Sequence, residues 1–267
     1  MMQLKSLPHT WLRSIARPRS AALVLLAAIG MAALGARCIE RTSTYVDQDG
    51  YTHIVGQMVN DTDIQGTQIM LQGTLFDANN NIVAQKTAPT CPPDTQPHQQ
   101  TTFDIRFDNP GIPAWTRYDV RPISGITLTQ PLPDPHVVAL LSDAARFTSP
   151  LILPGLTVTP NDVFLTFRLR NQSSNTYSGV QGCAAVFDQQ GKVVFVSSSE
   201  IIEENNGLIG PATLHPQELV DVFMSARNVP KGPVQVRAWL WFGPKGAPTS
   251  AYQFVTTGMI TIQNIAP

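Results

Sequence analysis

Phe167-Arg168-Leu169-Arg170-Asn171, followed by Val186-Phe187-Asp188-Gln189-Gln190-Gly191-Lys192-Val193-Val194, decides the fold, because an earlier stretch has the same shape. That earlier copy runs Gly56-Gln57-Met58-Val59-Asn60 and then Leu75-Phe76-Asp77-Ala78-Asn79-Asn80-Asn81-Ile82-Val83. Asn60 and Asn171 lie 111 residues apart, and so do Phe76 and Phe187. A fixed internal period sets domain number and fold together.

Working outward, Val163, Leu165, Phe167 and Leu169 alternate with Thr166, Arg168 and Arg170, with Phe164 the exception. Period two is the mark of a half-buried strand. In the first copy Ile54, Gly56 and Met58 take the inward places. Polar turns follow, Asn60-Asp61-Thr62-Asp63 and Asn171-Gln172-Ser173-Ser174-Asn175. The next strand turns Ile69, Leu71, Gly73 and Leu75 inward, and its counterpart Val180, Gly182, Ala184 and Val186. Asp77 and Asp188 open tight turns, where the carboxylate bonds nearby backbone and Asn or Gly accepts a left-handed conformation.

A third strand is expected over residues 82–85 and 192–197, then long loops over 88–100 and 201–217. The copies rejoin at Phe103-Asp104-Ile105-Arg106-Phe107 and Val220-Asp221-Val222-Phe223-Met224. Last strands fall at 118–121 and 234–242. Many short strands between turns predict an all-β chain of two antiparallel β-sandwiches, at 43–130 and 155–267. Residues 131–154 read as a Pro-rich linker. Asp134-Pro135 resembles a helix cap with a first-turn proline, so a short helix is expected over 137–145, with Val138, Leu141 and Ala145 on its apolar face.

These motifs resemble the FxLYD family of small bacterial β-sandwich domains. The matches are Gly56-Gln57-Met58-Val59-Asn60 with Phe76-Asp77, and Asn171 with Phe187-Asp188-Gln189-Gln190-Gly191-Lys192-Val193-Val194. Phe76 and Phe187 replace the usual Tyr, Phe167 replaces the first Gly, and Asn80-Asn81 stands where Gly-Lys is common. The resemblance covers about 150 residues and implies tandem immunoglobulin-like sandwiches in an exported or membrane-anchored bacterial protein. It carries over no catalytic residue.

Composition agrees with a folded, turn-rich chain. It has 267 residues, 43% hydrophobic and 14% charged, with 22 Pro and 18 Gly. So little charge argues against disorder and against a nucleic-acid surface. The formal net charge of −1 hides an asymmetry: residues 1–36 hold four bases and no acid, leaving 14 bases against 19 acids, a net of −5. Residues 1–20 read as a basic cytoplasmic n-region. Residues 21–36 form an uncharged run of 16, expected to be a hydrophobic helix serving as signal peptide or transmembrane anchor. Ala33-Leu34-Gly35 offers a small-x-small cleavage pattern. Cys38 invites lipidation, but Arg37 before it departs from the small residue that lipobox motifs require.

The chemistry-bearing residues form no recognised constellation. His9, His53, His98, His136 and His215 are scattered, so no metal site is expected. Cys91 lies in a Pro-rich loop and Cys183 in a strand of the other copy. They are free thiols or buried hydrophobes, or a bridge between the sandwiches if that loop folds onto the second one. Asp47-Gln48-Asp49-Gly50 starts like a calcium loop but lacks the bidentate Glu, so a hairpin turn is expected. Asn60-Asp61-Thr62 and Asn171-Gln172-Ser173 match the glycosylation sequon, yet recur at the same turn and are explained by turn chemistry. Ser197-Ser198-Ser199-Glu200 has no nearby His, and Glu203-Glu204 reads as surface. No P-loop, nucleophile elbow or dinucleotide fingerprint appears.

The residues that stand out are Trp239 and Trp241, which share the strand face of Gln235 and Arg237. Exposed, they would form a platform for a protein or a sugar ring. Covered, they would meet the C-terminal strand or the first sandwich. The expectation is a non-enzymatic, cofactor-free protein at the cell envelope, membrane-held or secreted, that binds a protein partner and no nucleic acid. The alternative is a carbohydrate-binding module using Trp239 and Trp241.

Overall fold

A computed structural model describes residues 39–128, 137–147, 151–153, 156–158, 162–200, 202–205, 208–226, 229, 234–244 and 253–265. The expected N-terminal helix and Cys38 lie outside these residues. Every described element is a strand or a turn. Among the described residues no helix is long and apolar enough to cross a membrane.

The first set of strands is β1 (Ile39–Val46), β2 (Tyr51–Val59), β3 (Gln65–Phe76), β4 (Ile82–Cys91), β5 (Gln100–Pro110) and β6 (Arg117–Leu128). They are ordered β1-β2-β5-β4-β3-β6. β4 pairs with β3 along seven positions but meets β5 only at Thr90↔Phe103 and Cys91↔Thr102. The path is therefore two layers, β1-β2-β5 and β4-β3-β6, joined at one corner. Their inner faces enclose Ile54, Met58, Ile69, Leu71, Leu75, Phe103, Ile105 and Phe107, the alternate residues that period two selects.

The second set is β7 (Val137–Phe147), β8 (Leu151–Leu153), β9 (Leu156–Val158), β10 (Val163–Asn171), β11 (Tyr177–Phe187) and β12 (Val193–Glu200). It continues with β13 (Ile202–Asn205), β14 (Leu208–Pro211), β15 (Thr213–Leu214), β16 (Leu219–Ala226), β17 (Gln235–Pro244), β18 (Gln253–Thr256), β19 (Ile260–Thr261) and β20 (Gln263–Ile265). One layer is ordered β14-β13-β16-β10-β7-β20 and the other β12-β11-β17-β18, while β8 and β9 form a small hairpin. Among the described strands no pairing joins the first set to the second. The second core gathers Leu165, Phe167, Leu169, Val186, Val222, Met224, Leu240 and Phe242 among others.

The expected helix over 137–145 is instead strand β7, paired with β10 from Val137↔Asn171 to Arg146↔Val163. The stretch read as a linker thus supplies the first strand of the second set, the counterpart of β1. The expected long loops shrink as well. β4 runs to Cys91, and residues 201–217 contain β13, β14 and β15.

Turn chemistry repeats in atomic detail. Asn60 Nδ2 donates to the carbonyls of Ile64, Thr95 and Gln96, and its Oδ1 accepts from the Thr62 amide and hydroxyl. Asn171 does the same with Asn175, Leu214, His215 and Ser173. Three aspartates close hairpins alike: Asp47 Oδ1 accepts from the Asp49 and Tyr51 amides, Asp77 Oδ1 from Asn79 and Asn81, Asp188 Oδ1 from Gln190 and Lys192. Each turn ends on a left-handed residue, Gly50, Asn80 or Gly191. The hairpin expected at Asp47-Gln48-Asp49-Gly50 is therefore present.

The rejoining register is corrected by two residues. Ile54 faces Ile105, and its equivalent Leu165 faces Met224. Phe103 thus matches Val222, not Val220. A slip of two keeps every residue on the same face, which is why alternation alone missed it.

Candidate functional site: the cleft between the strand sets

β2 buries both of its faces. Ile54 and Met58 enter the first core, while Val55 and Gln57 on the opposite side are also fully buried. β11 behaves likewise: Val180, Ala184 and Val186 point into the second core, and Cys183, Ala185 and Phe187 are buried on the other side. These two outer faces meet. Val55 packs with Ala185, Phe187, Val193, Val196 and Trp239, and Tyr45 and Met259 border the cluster.

Polar bonds cross the same junction. The Ser43 hydroxyl donates to the Val193 carbonyl, the Trp239 indole N–H to the Gln100 carbonyl at 2.8 Å, and Arg237 Nη1 to Gln100 Oε1 at 3.2 Å. Burial, with Arg41 nearby, pulls the Arg237 pKa below its usual value. A disulfide joins Cys91 at the end of β4 to Cys183 in β11, with Cα atoms 6.0 Å apart. The proline loop does fold onto the second set, so neither cysteine is a free thiol.

Beside this junction opens a cleft of about 840 Å³. One wall comes from the first set, with Tyr45, Asp47, His53, Thr90 and Asp104. The other comes from the second, with Gln181, Phe195, Ser197, Ser198 and Trp241. Its centre of charge is His53, which is 5% exposed. The His53 ring stacks on Tyr45 with centroids 4.4 Å apart and planes 14° from parallel, and Tyr45 in turn meets Phe195 at 5.6 Å.

Both imidazole nitrogens are engaged by carboxylates, Nδ1 with Asp104 Oδ1 at 2.7 Å and Nε2 with Asp47 Oδ2 at 3.2 Å. Only the imidazolium can donate from both nitrogens. Burial works against that charged form, but the hydrogen bonds and charges of Asp104 and Asp47 outweigh it and raise the His53 pKa. Asp47 titrates lower than usual: desolvation opposes this, but the amide of Tyr51 and the bond to His53 prevail. Burial, aided by the two aspartates, pushes the Tyr45 phenol far up. Arg106 completes the cluster, with Nε 3.5 Å from Asp47 Oδ2 and its guanidinium 3.6 Å above the Tyr51 ring.

The arrangement concentrates charge at one end of the cleft. Ser197 and Ser198 line the cleft, but both nitrogens of His53 are turned to carboxylates, so it is not poised as their general base.

The two tryptophans are separated by burial. Trp239 is 2% exposed and enclosed in the junction, so it is no open platform. Trp241 is half-buried and lines the cleft. The sequence pattern set His53 aside with the other scattered histidines and did not single out Tyr45 or Asp104. The available signal was that His53 and Val55 share the outer face of β2, and Asp104, the cross-strand partner of Val55, lies diagonal to His53.

No protein-family model matches the chain, and no curated protein matches it significantly. Among solved structures, the ASH/PapD-like domain of human CEP192 (PapD-like domain 7) aligns over 54% of this chain and 96% of its own, at 14% identity and a TM-score of 0.27. Red sea bream transglutaminase aligns over 86% of this chain and 32% of its own, at 9% identity and a TM-score of 0.24. Likenesses this distant carry no argument about activity or partner, and the chemistry of the cleft stands on its own residues.

Proposed function

We propose that this chain is an exported, non-enzymatic protein whose two immunoglobulin-like, FxLYD-type β-sandwiches dock into one body that binds a protein partner at the cell envelope. The observation that carries this reading is the Cys91–Cys183 bridge between the strand sets. Such bridges persist in oxidising compartments and are rare in the cytosol. The basic residues 1–20 and the apolar run 21–36 support the same compartment, as a leader or an anchor. The glycan alternative loses Trp239 to the junction and keeps only Trp241.

The test is fractionation of the native host followed by intact-mass measurement with and without thiol alkylation. The proposal expects envelope or secreted protein that resists alkylation at Cys91 and Cys183. Cytosolic protein with both thiols labelled would sink it.

A further inference from the structure

We propose that the cleft between the strand sets binds a cationic side chain, an arginine or lysine presented by the protein partner, and that protonated His53 competes with it. This deepens the function proposed above and rests on it.

Volume comes first. About 840 Å³ lies within the range of sites that enclose small molecules, and is ample for an extended basic side chain. Charge comes second. Asp47, His53 and Asp104 are the charge-bearing residues of the lining, and no lysine or arginine joins them. A phosphate or carboxylate ligand would meet two carboxylates, and the one cation beside them, Arg106, stands outside the lining and is committed to Asp47 and the Tyr51 ring. A guanidinium or ammonium would meet those carboxylates beside the rings of Tyr45, Phe195 and Trp241, a combination suited to cation recognition.

Unused bonding capacity comes third. Asp104 gives Oδ1 to His53, and among the described residues its Oδ2 has no donor. Thr90 belongs to the same wall, and its buried hydroxyl, in a residue 2% exposed, finds no partner among the described residues. A buried hydroxyl left unpaired costs stability, and an incoming N–H would relieve that.

The built-in competitor is His53. Its neighbours on every packed element are accounted for: Tyr45 on β1, Asp47 in the hairpin, Asp104 and Arg106 on β5. β11, β12 and β17 present Gln181, Phe195, Val196, Ser197, Ser198 and Trp241, none of them an acid or a base near neutral pH. Protonated, His53 neutralises one carboxylate charge from within. Neutral, it leaves that charge to the ligand. Affinity for a cation therefore rises with pH through the His53 titration.

The experiment is calorimetric titration of the full chain with acetyl-Gly-Arg-Gly-amide, its citrulline isostere and a neutral oligosaccharide, at about pH 8 and about pH 5.5. The arginine peptide should bind, about tenfold more tightly at the higher pH, and the citrulline peptide should give no heat. Asp104→Asn should weaken binding about tenfold, and Trp241→Leu, a second variant remote from His53's hydrogen bonds, should weaken it as well. Equal binding of the isostere, affinity independent of pH, a response to the oligosaccharide instead, or no binding of the arginine peptide would each overturn the proposal. Capture from native envelopes separates the two readings. A partner held equally by wild type and Asp104→Asn removes the cleft but keeps the partner. Arginine-peptide binding without any captured partner does the reverse.

Discussion

Asn171 makes five hydrogen bonds from a fully buried side chain, and its equivalent Asn60 makes five from one 5% exposed. In both, the amide nitrogen serves carbonyls from two separate turns. Asn171→Ala would strand those carbonyls, and the expected loss is about 2–4 kcal/mol, read from the shift in urea midpoint. Asn171→Asp should cost at least as much, because a carboxylate replaces the donor facing three carbonyls. The same bonds predict that neither sequon carries sugar in a glycosylating host, which intact mass would show.

His53 gives a pH dependence of definite sign. Its folded-state pKa is raised, so its contribution to stability is fully present below the unfolded value near 6.5 and lost as pH rises through the folded one. Asp47 is shifted down, so its contribution is present above the unfolded value near 3.9 and lost in acid. Urea midpoints should therefore fall on the alkaline side in wild type. In His53→Gln that alkaline loss should disappear. An unchanged profile in the variant would show that the His53 contacts with Asp104 and Asp47 do not set the pH dependence.

At the scale of elements, the two copies solve one packing problem in opposite ways. Gly56 on β2 faces Phe103 on β5, whereas their equivalents on β10 and β16 are Phe167 and Val222. The large ring sits on one strand in the first core and on its neighbour in the second. A Cβ on Gly56 would come within 2.7 Å of Phe103 Cζ and 2.8 Å of Thr42 Cγ2. Gly56→Ala should thus cost about 1–3 kcal/mol through overpacking. Phe103→Val should relieve part of that strain, so a double-mutant cycle should show favourable coupling between the two sites.

This compensation explains why a resemblance keyed on Gly56 loses its glycine in the second copy while the strand remains. Strands with unbroken alternation were legible, and β10 was read nearly end to end. β7 was not, because a bulge at Ser142 carries its pairing from Leu141↔Phe167 to Asp143↔Thr166. Its buried residues Leu141 and Ala144 then stand three apart, the spacing of a helix face, in a segment rich in Leu and Ala.

At the scale of the whole molecule, the junction both joins the two strand sets and borders the cleft. Of its second-set half, the sequence pattern raised only Trp239 as a residue the first sandwich would cover; Cys183, Ala185 and Phe187, which complete the apolar outer face, were not singled out as such. It could not name the covering surface, because alternation shows that a face is buried and not by what. The cleft was illegible for the same reason, being assembled from residues more than 140 positions apart, such as Tyr45 and Phe195.

The junction has two supports, an apolar cluster of six side chains and a disulfide. The bridge closes a loop with a separation of 92 residues, which in the chain-entropy view stabilises by about 4–5 kcal/mol by restricting the unfolded chain. The paired variant Cys91→Ser/Cys183→Ser should lose up to that amount. The cluster and the Trp239–Gln100 bond remain in it, so calorimetry should still record one cooperative transition at a lower midpoint. Adding Trp239→Ala removes the largest ring of the cluster and the indole donor together. That triple variant should then unfold in two steps, one for each core. Two steps already in the paired variant would mean that the disulfide, and not the packing, holds the cleft together.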